Sequence, residues 1–203
     1  MILKSGSVLA TDIDDVIFPF VSAFIAYQNC VFGTKIQLAQ VTDYFNFEEV
    51  LGVTRKEKIK RMHEFLRLVG LEFPPIIGAV EALDKLRVLF PNQAMITGRQ
   101  YAVQDLSIRY LDKFLPDRKF QTVFCNHCIG DDAISKSEAC LRLGVSHIID
   151  DSLEYAIDCA KAGVQVLLFG DYPWNRQKIP KEYEGIITRT PSWQDVLAYF
   201  ELS

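Results

Sequence analysis

The sequence predicts an α/β fold built on a parallel sheet, with a block of helices inserted after the first strand. Short apolar runs recur along the chain with amphipathic helical patterns between them, which is the alternation of a parallel sheet and its crossovers. Two of these runs end abruptly in acids, as buried central strands do where their carboxyl ends open into a site. Residues 18–90 break the alternation, holding several helical patterns and no strand between the first run and the second.

Taken in order, the apolar runs fall at 7–13, 93–97, 120–125, 147–150, 164–170 and 185–188. Within the inserted block, Phe20, Phe24, Tyr27 and Val31 stand at helical spacing, and Ile77, Val80, Leu83 and Leu86 recur every three residues. Between them Thr54 and Glu57 have capping-box spacing, ahead of Ile59, Met62, Phe65, Leu66 and Val69. The pattern over 102–114 puts Val103, Leu106, Ile108, Tyr110, Leu111 and Phe114 mostly on one stripe. Shorter amphipathic segments at 135–143 and 153–162 end at Gly144 and Gly163, where a left-handed residue can terminate a helix. A last helix should start after Pro191 with Ser192 as its cap, burying Trp193, Val196, Leu197 and Phe200 over the final strand. There is no internal repeat and no long linker, so the helical block should sit on the sheet as a cap. The expected organisation is a core of residues 1–17 and 91–203 and a cap of residues 18–90.

Composition narrows the function classes. In 203 residues, 49% hydrophobic and 24% charged describe an ordinary globular chain, not a disordered one or a disulfide scaffold. A formal charge of -4 supplies no global attraction to nucleic acid, so no polynucleotide partner is expected. The cysteines (Cys30, Cys125, Cys128, Cys140 and Cys159) are odd in number, and neither a secretory leader nor an apolar run able to span a bilayer accompanies them. That combination reads as reduced thiols in a cytoplasmic protein with no membrane partner. Cys125-Asn126-His127-Cys128 has the outline of half a zinc site, but no second ligand pair follows at finger spacing, so these too read as plain thiols.

The chemistry concentrates at strand ends. Thr11-Asp12-Ile13-Asp14-Asp15-Val16 sets acids where the first strand exits, and such a cluster repels itself unless protons or a cation compensate it. Ile148-Ile149-Asp150-Asp151-Ser152 repeats the form. In an open parallel sheet ligands gather at the carboxyl ends of strands, so both clusters can share one cation, for which Mg2+ is the natural hard, oxygen-seeking choice. Ala94-Met95-Ile96-Thr97-Gly98-Arg99 brings a hydroxyl and, at Gly98, approachable backbone amides suited to phosphate oxygens. Lys136, near the start of a helix, adds a positive charge that would hold phosphate and screen Asp12.

In this order the residues resemble the four motifs of the haloacid dehalogenase superfamily, over nearly the whole chain. The resemblance implies a doubly wound, Rossmann-type core with a small cap of the first class. It also implies Asp12 as nucleophile and metal ligand, and Asp14 as general acid and base that binds metal through its carbonyl. Thr97, Gly98 and Lys136 would bind phosphate, Asp150 would bind Mg2+, and Asp151 would be a second acid of the metal site. An acid at position 14 fits the phosphatases of the superfamily, because an alkoxide leaving group needs a proton.

A narrower likeness is to the small 5'-nucleotidases and 5'(3')-deoxyribonucleotidases. It rests on Asp12-Ile13-Asp14-Asp15-Val16-Ile17 followed by Phe20, on Tyr44-Phe45-Asn46-Phe47, and on Tyr172-Pro173-Trp174-Asn175-Arg176. Those relatives usually carry glycine where this chain has Asp15. The likeness implies a nucleoside monophosphate as substrate. Phe20, Phe45 and Phe47 are then candidates for a platform under the base, against a plain role in the cap core, and Arg99 and Arg176 are candidates to touch the substrate. A phosphatase of sugar phosphates or other small phosphoesters is the alternative, and a non-catalytic binding module on the same fold is the alternative of another class. The basic run Arg55, Lys56, Lys58, Lys60 and Arg61 reads as the solvated face of its helix, and His63 and His127 receive no role.

Overall fold

The computed structural model describes residues 6–43, 47–127 and 132–202. Six strands form one parallel sheet in the order β3-β2-β1-β4-β5-β6: β1 Val8–Thr11, β2 Asn92–Thr97, β3 Gln121–Phe124, β4 Val145–Asp150, β5 Gln165–Phe169 and β6 Ile187–Thr190. All six expected strands form; the last begins two residues later than its apolar pattern, because a turn returns the Ile186 amide to the Tyr183 carbonyl at 2.9 Å.

Alternation along each strand sorts its side chains between two layers. Leu9, Met95, Ile149 and Leu167 join the larger core, while Ala10, Ile96, Ile148, Val166 and Leu168 join the smaller one on the other face. Helices α6 Lys136–Leu143 and α7 Leu153–Lys161 contribute to the smaller core. Helices α5 Gln104–Phe114 and α8 Trp193–Tyr199 contribute to the larger. Both faces are covered, so the sheet is doubly wound, and strand order reverses between β1 and β4.

The caps follow the sequence. Ser192 caps α8 by accepting from the Asp195 amide, and Ser135 caps α6 by accepting from Glu138. Gly144 ends α6 in the left-handed conformation at φ 63°.

Between β1 and β2 run α1 Phe20–Phe32, α2 Phe47–Leu51, α3 Arg55–Leu68 and α4 Ala79–Leu86. Thr54 caps α3 through the Glu57 amide, as its spacing predicts. An aromatic cluster holds α1 and α3 together, with Phe65 within 5.5–6.3 Å of Phe18, Phe20, Phe24, Tyr27 and Phe73, centroid to centroid. The pattern over α4 differs from expectation: Ile77 is 97% exposed and Val80 41%, while Ala79, Ala82, Leu83 and Leu86 are buried. Small alanines let α4 lie close to its neighbours, and it packs beside α8. Val31, expected on the apolar stripe of α1, is exposed at its end. Among the described residues, no helix is long and apolar enough to cross a membrane.

Candidate active site

β1 and β4 are neighbours, and the Asp12 amide donates to the Ile149 carbonyl at 2.9 Å just past the ladder. The pairing of β1 with β4 brings Asp12, just past β1, beside Asp150, the last residue of β4, and Asp151. One carboxylate oxygen each from Asp12, Asp150 and Asp151 lie within 4.8 Å of one another, all three side chains being buried. Lys136, the first residue of α6, reaches them from the side. Its Nζ is 3.0 Å from an Asp12 oxygen and 2.5 Å from Asp150 Oδ2, and it lies 4.3 Å from the centre of the Tyr155 ring.

Electrostatics here are dominated by burial. Asp12 is pushed up to about 7, chiefly by loss of water and further by the Asp150 and Asp14 charges, with Lys136 opposing. Asp151 is raised well above the carboxylate range by burial, then by Asp15 and Asp150. For Lys136, burial works downward, but the charges of Asp12 and Asp150 overcome it and hold the ammonium well above its ordinary value.

Asp15 stands at φ 54°, a left-handed position that usually favours glycine. Its side chain accounts for its tolerance: both carboxylate oxygens accept from the Val21 amide, at 3.1 and 3.2 Å, in the first turn of α1. Burial raises its pKa as well, reinforced by Asp14.

The Tyr172-Pro173-Trp174-Asn175 turn straps Asp151 in place. Trp174 Nε1 donates to Asp151 Oδ2 at 2.7 Å, and Asn175 Nδ2 donates to the Asp151 carbonyl at 3.0 Å and the Phe169 carbonyl at 2.8 Å. Tyr172 stacks on Trp174 with centroids 4.5 Å apart and donates to the Asp15 carbonyl at 2.8 Å. On β4, the Ser152 amide donates to Asp150 Oδ1 at 3.0 Å. Every acid thus has an orienting partner, yet Asp12 Oδ1 is buried without one. An orphaned carboxylate oxygen beside two further carboxylates is a donor set suited to a hard divalent cation, with Asp12, Asp150 and Asp151 to hold it.

The acids close the floor of a cleft with a cavity volume of about 90 Å³. Asp12, Asp14, Gly98, Arg99, Lys136 and Asp151 line it; Thr97 is fully buried beneath, its Oγ1 accepting from the Arg99 amide at 3.2 Å. Phe20 stands in the wall with Ile59, Met62, Leu66 and Val103.

Other candidates stand apart from the cleft. Phe47 is fully buried against Phe24, ring edge to face at 5.8 Å, which gives it to the helical core and leaves no face for a ligand. Arg176 is exposed and paired with Asp171 at 2.8 Å, so a surface acid holds it. Phe45 lies outside the described residues, as does Cys128; Cys125, Cys140 and Cys159 are buried free thiols. Arg99 is in the cleft, but its guanidinium is directed at Asp14.

The basic helix departs from its reading as a solvated face only in part: Arg55, Lys56 and Lys60 are exposed as expected. Lys58 is 6% exposed and ion-paired with Glu48, Arg61 lies over the Phe32 ring at 3.8 Å, and Arg55 and Lys58 line the cleft. His63 and His127 line it too, joined through Gln100, whose Oε1 is 2.9 Å from His63 Nε2 and whose Nε2 donates to the His127 carbonyl at 2.9 Å. Tyr155 is a further lining residue that sequence patterning missed. Its position at the third residue of α7, directly after the Asp150-Asp151 cluster, was the available signal.

No protein-family model and no curated protein sequence matches the chain, whereas solved structures do. A haloacid dehalogenase-like hydrolase from Streptococcus pneumoniae aligns with a TM-score of 0.68 at 14% identity, covering 96% of this chain and 98% of that one. A protein provisionally described as a beta-phosphoglucomutase from Thermotoga maritima gives 0.64 at 16%, covering 96% and 98%. A hydrolase of the same superfamily from Deinococcus radiodurans, solved with bound phosphate and sodium, gives 0.64 at 18%, covering 96% and 94%. The chain therefore has the haloacid dehalogenase-like fold, with a buried aspartate cluster at the strand ends where that fold opens.

Proposed function

We propose that the protein is a Mg2+-dependent phosphomonoester hydrolase working through an aspartyl-phosphate on Asp12, with nucleoside monophosphates as its substrates. The carrying observation is the convergence of Asp12, Asp14, Lys136, Asp150 and Asp151 on one cleft floor. The metal, held by Asp12, Asp150 and Asp151, would supply Lewis-acid neutralisation of phosphate charge.

Asp12 attacks phosphorus in line, forming the Asp12 oxygen–phosphorus bond as the ester oxygen departs. Asp14 gives that oxygen its proton, then takes one from the water whose attack releases phosphate and frees Asp12. Lys136 and the Gly98 turn stabilise charge on the phosphoryl oxygens. In this reading α1 to α3 form the cap, with α1 and α3 lining the cleft, while α4, packed on α8, goes with the core, so the cap is shorter than the 18–90 expected from the sequence. Beside the acids the cleft is lined by apolar Phe20, Ile59, Met62, Leu66 and Val103 and by polar His63, Gln100 and His127, a mixture that suits a flat base with hydrogen-bonding edges.

The test is phosphate release from panels of nucleoside monophosphates and sugar phosphates, with Mg2+ and with chelator, beside Asp12→Asn checked for deamidation. Metal-dependent release favouring nucleotides, abolished in the variant, is expected. Preference for sugar phosphates would discard the nucleotidase, and turnover surviving in Asp12→Asn would discard the nucleophile.

A further inference from the structure

Two carboxylates hold the Lys136 ammonium, Asp12 at 3.0 Å and Asp150 at 2.5 Å, and its third neighbour is the ring of Tyr155, centred 4.3 Å from Nζ. Lys136 is 1% exposed, so bulk water does not screen its attraction to the electron-rich face of that ring. Tyr155 is set there by the segment that carries the acids. Asp150 ends β4, and Ser152 caps α7 by accepting from the Tyr155 amide at 3.4 Å, which fixes the ring in the first turn of the helix.

Two further neighbours confine the ring. It meets the His127 ring edge to face, centroids 5.7 Å apart, and its hydroxyl lies against Gly98, where a β-carbon would stand 3.2 Å from Tyr155 Oη. The His127 amide in turn donates to the Gly98 carbonyl at 3.1 Å. Glycine at position 98 thus leaves the room that the phenol needs. One side chain of α7 bears both on the lysine of α6 and on the turn after β2.

We propose that Tyr155 is a positioning residue for Lys136, its ring face holding the ammonium where Lys136 meets the phosphoryl oxygens. This rests on the phosphatase reading and adds a residue to it. A ring that only filled space could be replaced by any ring of its size. One that holds a cation must weaken as fluorine withdraws electron density from its face.

The experiment places phenylalanine and its 4-fluoro, 3,5-difluoro and 3,4,5-trifluoro forms at position 155 by stop-codon suppression. It reads kcat/KM on p-nitrophenyl phosphate and, by calorimetric titration in the presence of Mg2+, the affinity for inorganic phosphate. Tyr155→Phe, which keeps the face and loses the hydroxyl, should stay within about 3-fold of wild type. Log kcat/KM should then fall in step with fluorine number, by about 10-fold across the series, with phosphate affinity falling in the same order. Tyr155→Leu should lose about 10- to 30-fold, the scale of a desolvated contact between a cation and a ring. The fluorinated rings are close to phenylalanine in size, so they decide the matter if Tyr155→Leu does not fold. In a Lys136→Met background the fluorine series should be flat.

A flat series with Lys136 in place, or an equal slope in Lys136→Met, would overturn the role of Tyr155 and leave the phosphatase standing. A protein without turnover whose phosphate affinity still follows fluorine number would overturn the phosphatase and keep the hold of Tyr155 on Lys136. One that neither hydrolyses the ester nor binds phosphate would overturn both.

Discussion

Trp174→Phe removes one hydrogen bond at the aspartate cluster. The indole Nε1 donates to Asp151 Oδ2 at 2.7 Å, while the ring stacks parallel on Tyr172 with a 3° interplanar angle. Phenylalanine keeps an aromatic face for that stack while removing the donor together with part of the indole's buried volume. Asp151 is 4% exposed, so water cannot readily replace the lost N–H, and the carboxylate becomes free to rotate away from Asp12 and Asp150. A partner one step removed from a metal ligand is typically worth about 10- to 100-fold in metal affinity, or about 1.4–2.7 kcal/mol. A hydrogen bond to a charged acceptor, at about 1.5–3 kcal/mol, gives the same range independently. Calorimetric titration of Mg2+ into wild type and variant, with the Mg2+ midpoint of thermal stabilisation as a second readout, measures it directly. An unchanged Mg2+ midpoint in a folded Trp174→Phe protein would refute the placement of Asp151 in the metal site.

Lys136→Met removes the cation that contacts Asp12 and Asp150, and turnover at saturating metal should fall by about 10²- to 10³-fold, measured as steady-state phosphate release. Phe65→Ala empties the centre of the aromatic cluster between α1 and α3 and should cost about 3–5 kcal/mol in urea denaturation. His147, enclosed by Phe90, Tyr199 and Phe200, is held neutral by burial with its pKa lowered to about 4 from an ordinary 6.5. The unfolded chain then binds the extra proton, so this contribution is complete above pH 6.5 and drains away as pH falls toward 4. It amounts to about 1–3 kcal/mol, the lower figure allowing for solvent screening, and a His147→Leu protein should lack that part of the acid slope in denaturation curves.

Much of this architecture was legible because period-2 and period-3.6 patterns are local. The six strands and the caps at Thr54 and Ser192 need only near neighbours in sequence, and they form where those patterns place them, the last strand shifted by two residues. The aspartate cluster was legible for a topological reason: β1 and β4 must lie side by side before Asp12 can meet Asp150, and an open parallel sheet makes that juncture a binding site. What stayed hidden depends on contacts between distant segments. The basic run 55–61 looks like a solvated face until Glu48 takes Lys58 and Phe32 takes Arg61. His63 and Gln100 lie 37 residues apart, and only the packing of α3 over the strand end brings them within 2.9 Å. Ile77 and Val80 misled because a three-residue repeat fits more than one helical face, and the neighbours of α4 chose the alanine side.

The charge balance explains why these acids tolerate one another. Asp12, Asp14, Asp15, Asp150 and Asp151 are five buried carboxyl groups, and among the described residues the cations ion-paired with them are Lys136, shared by Asp12 and Asp150, and Arg99, on Asp14. The other two rely on dipoles: the Val21 amide for Asp15 and the Trp174 N–H for Asp151. Dipoles orient a carboxylate but do not cancel its charge, so protons must fill the deficit, and the elevated pKa values of Asp12, Asp15 and Asp151 express that demand. A protonated Asp12 is a poor nucleophile. On the proposed mechanism a divalent cation between Asp12, Asp150 and Asp151 would displace those protons, and metal binding would then also activate the nucleophile.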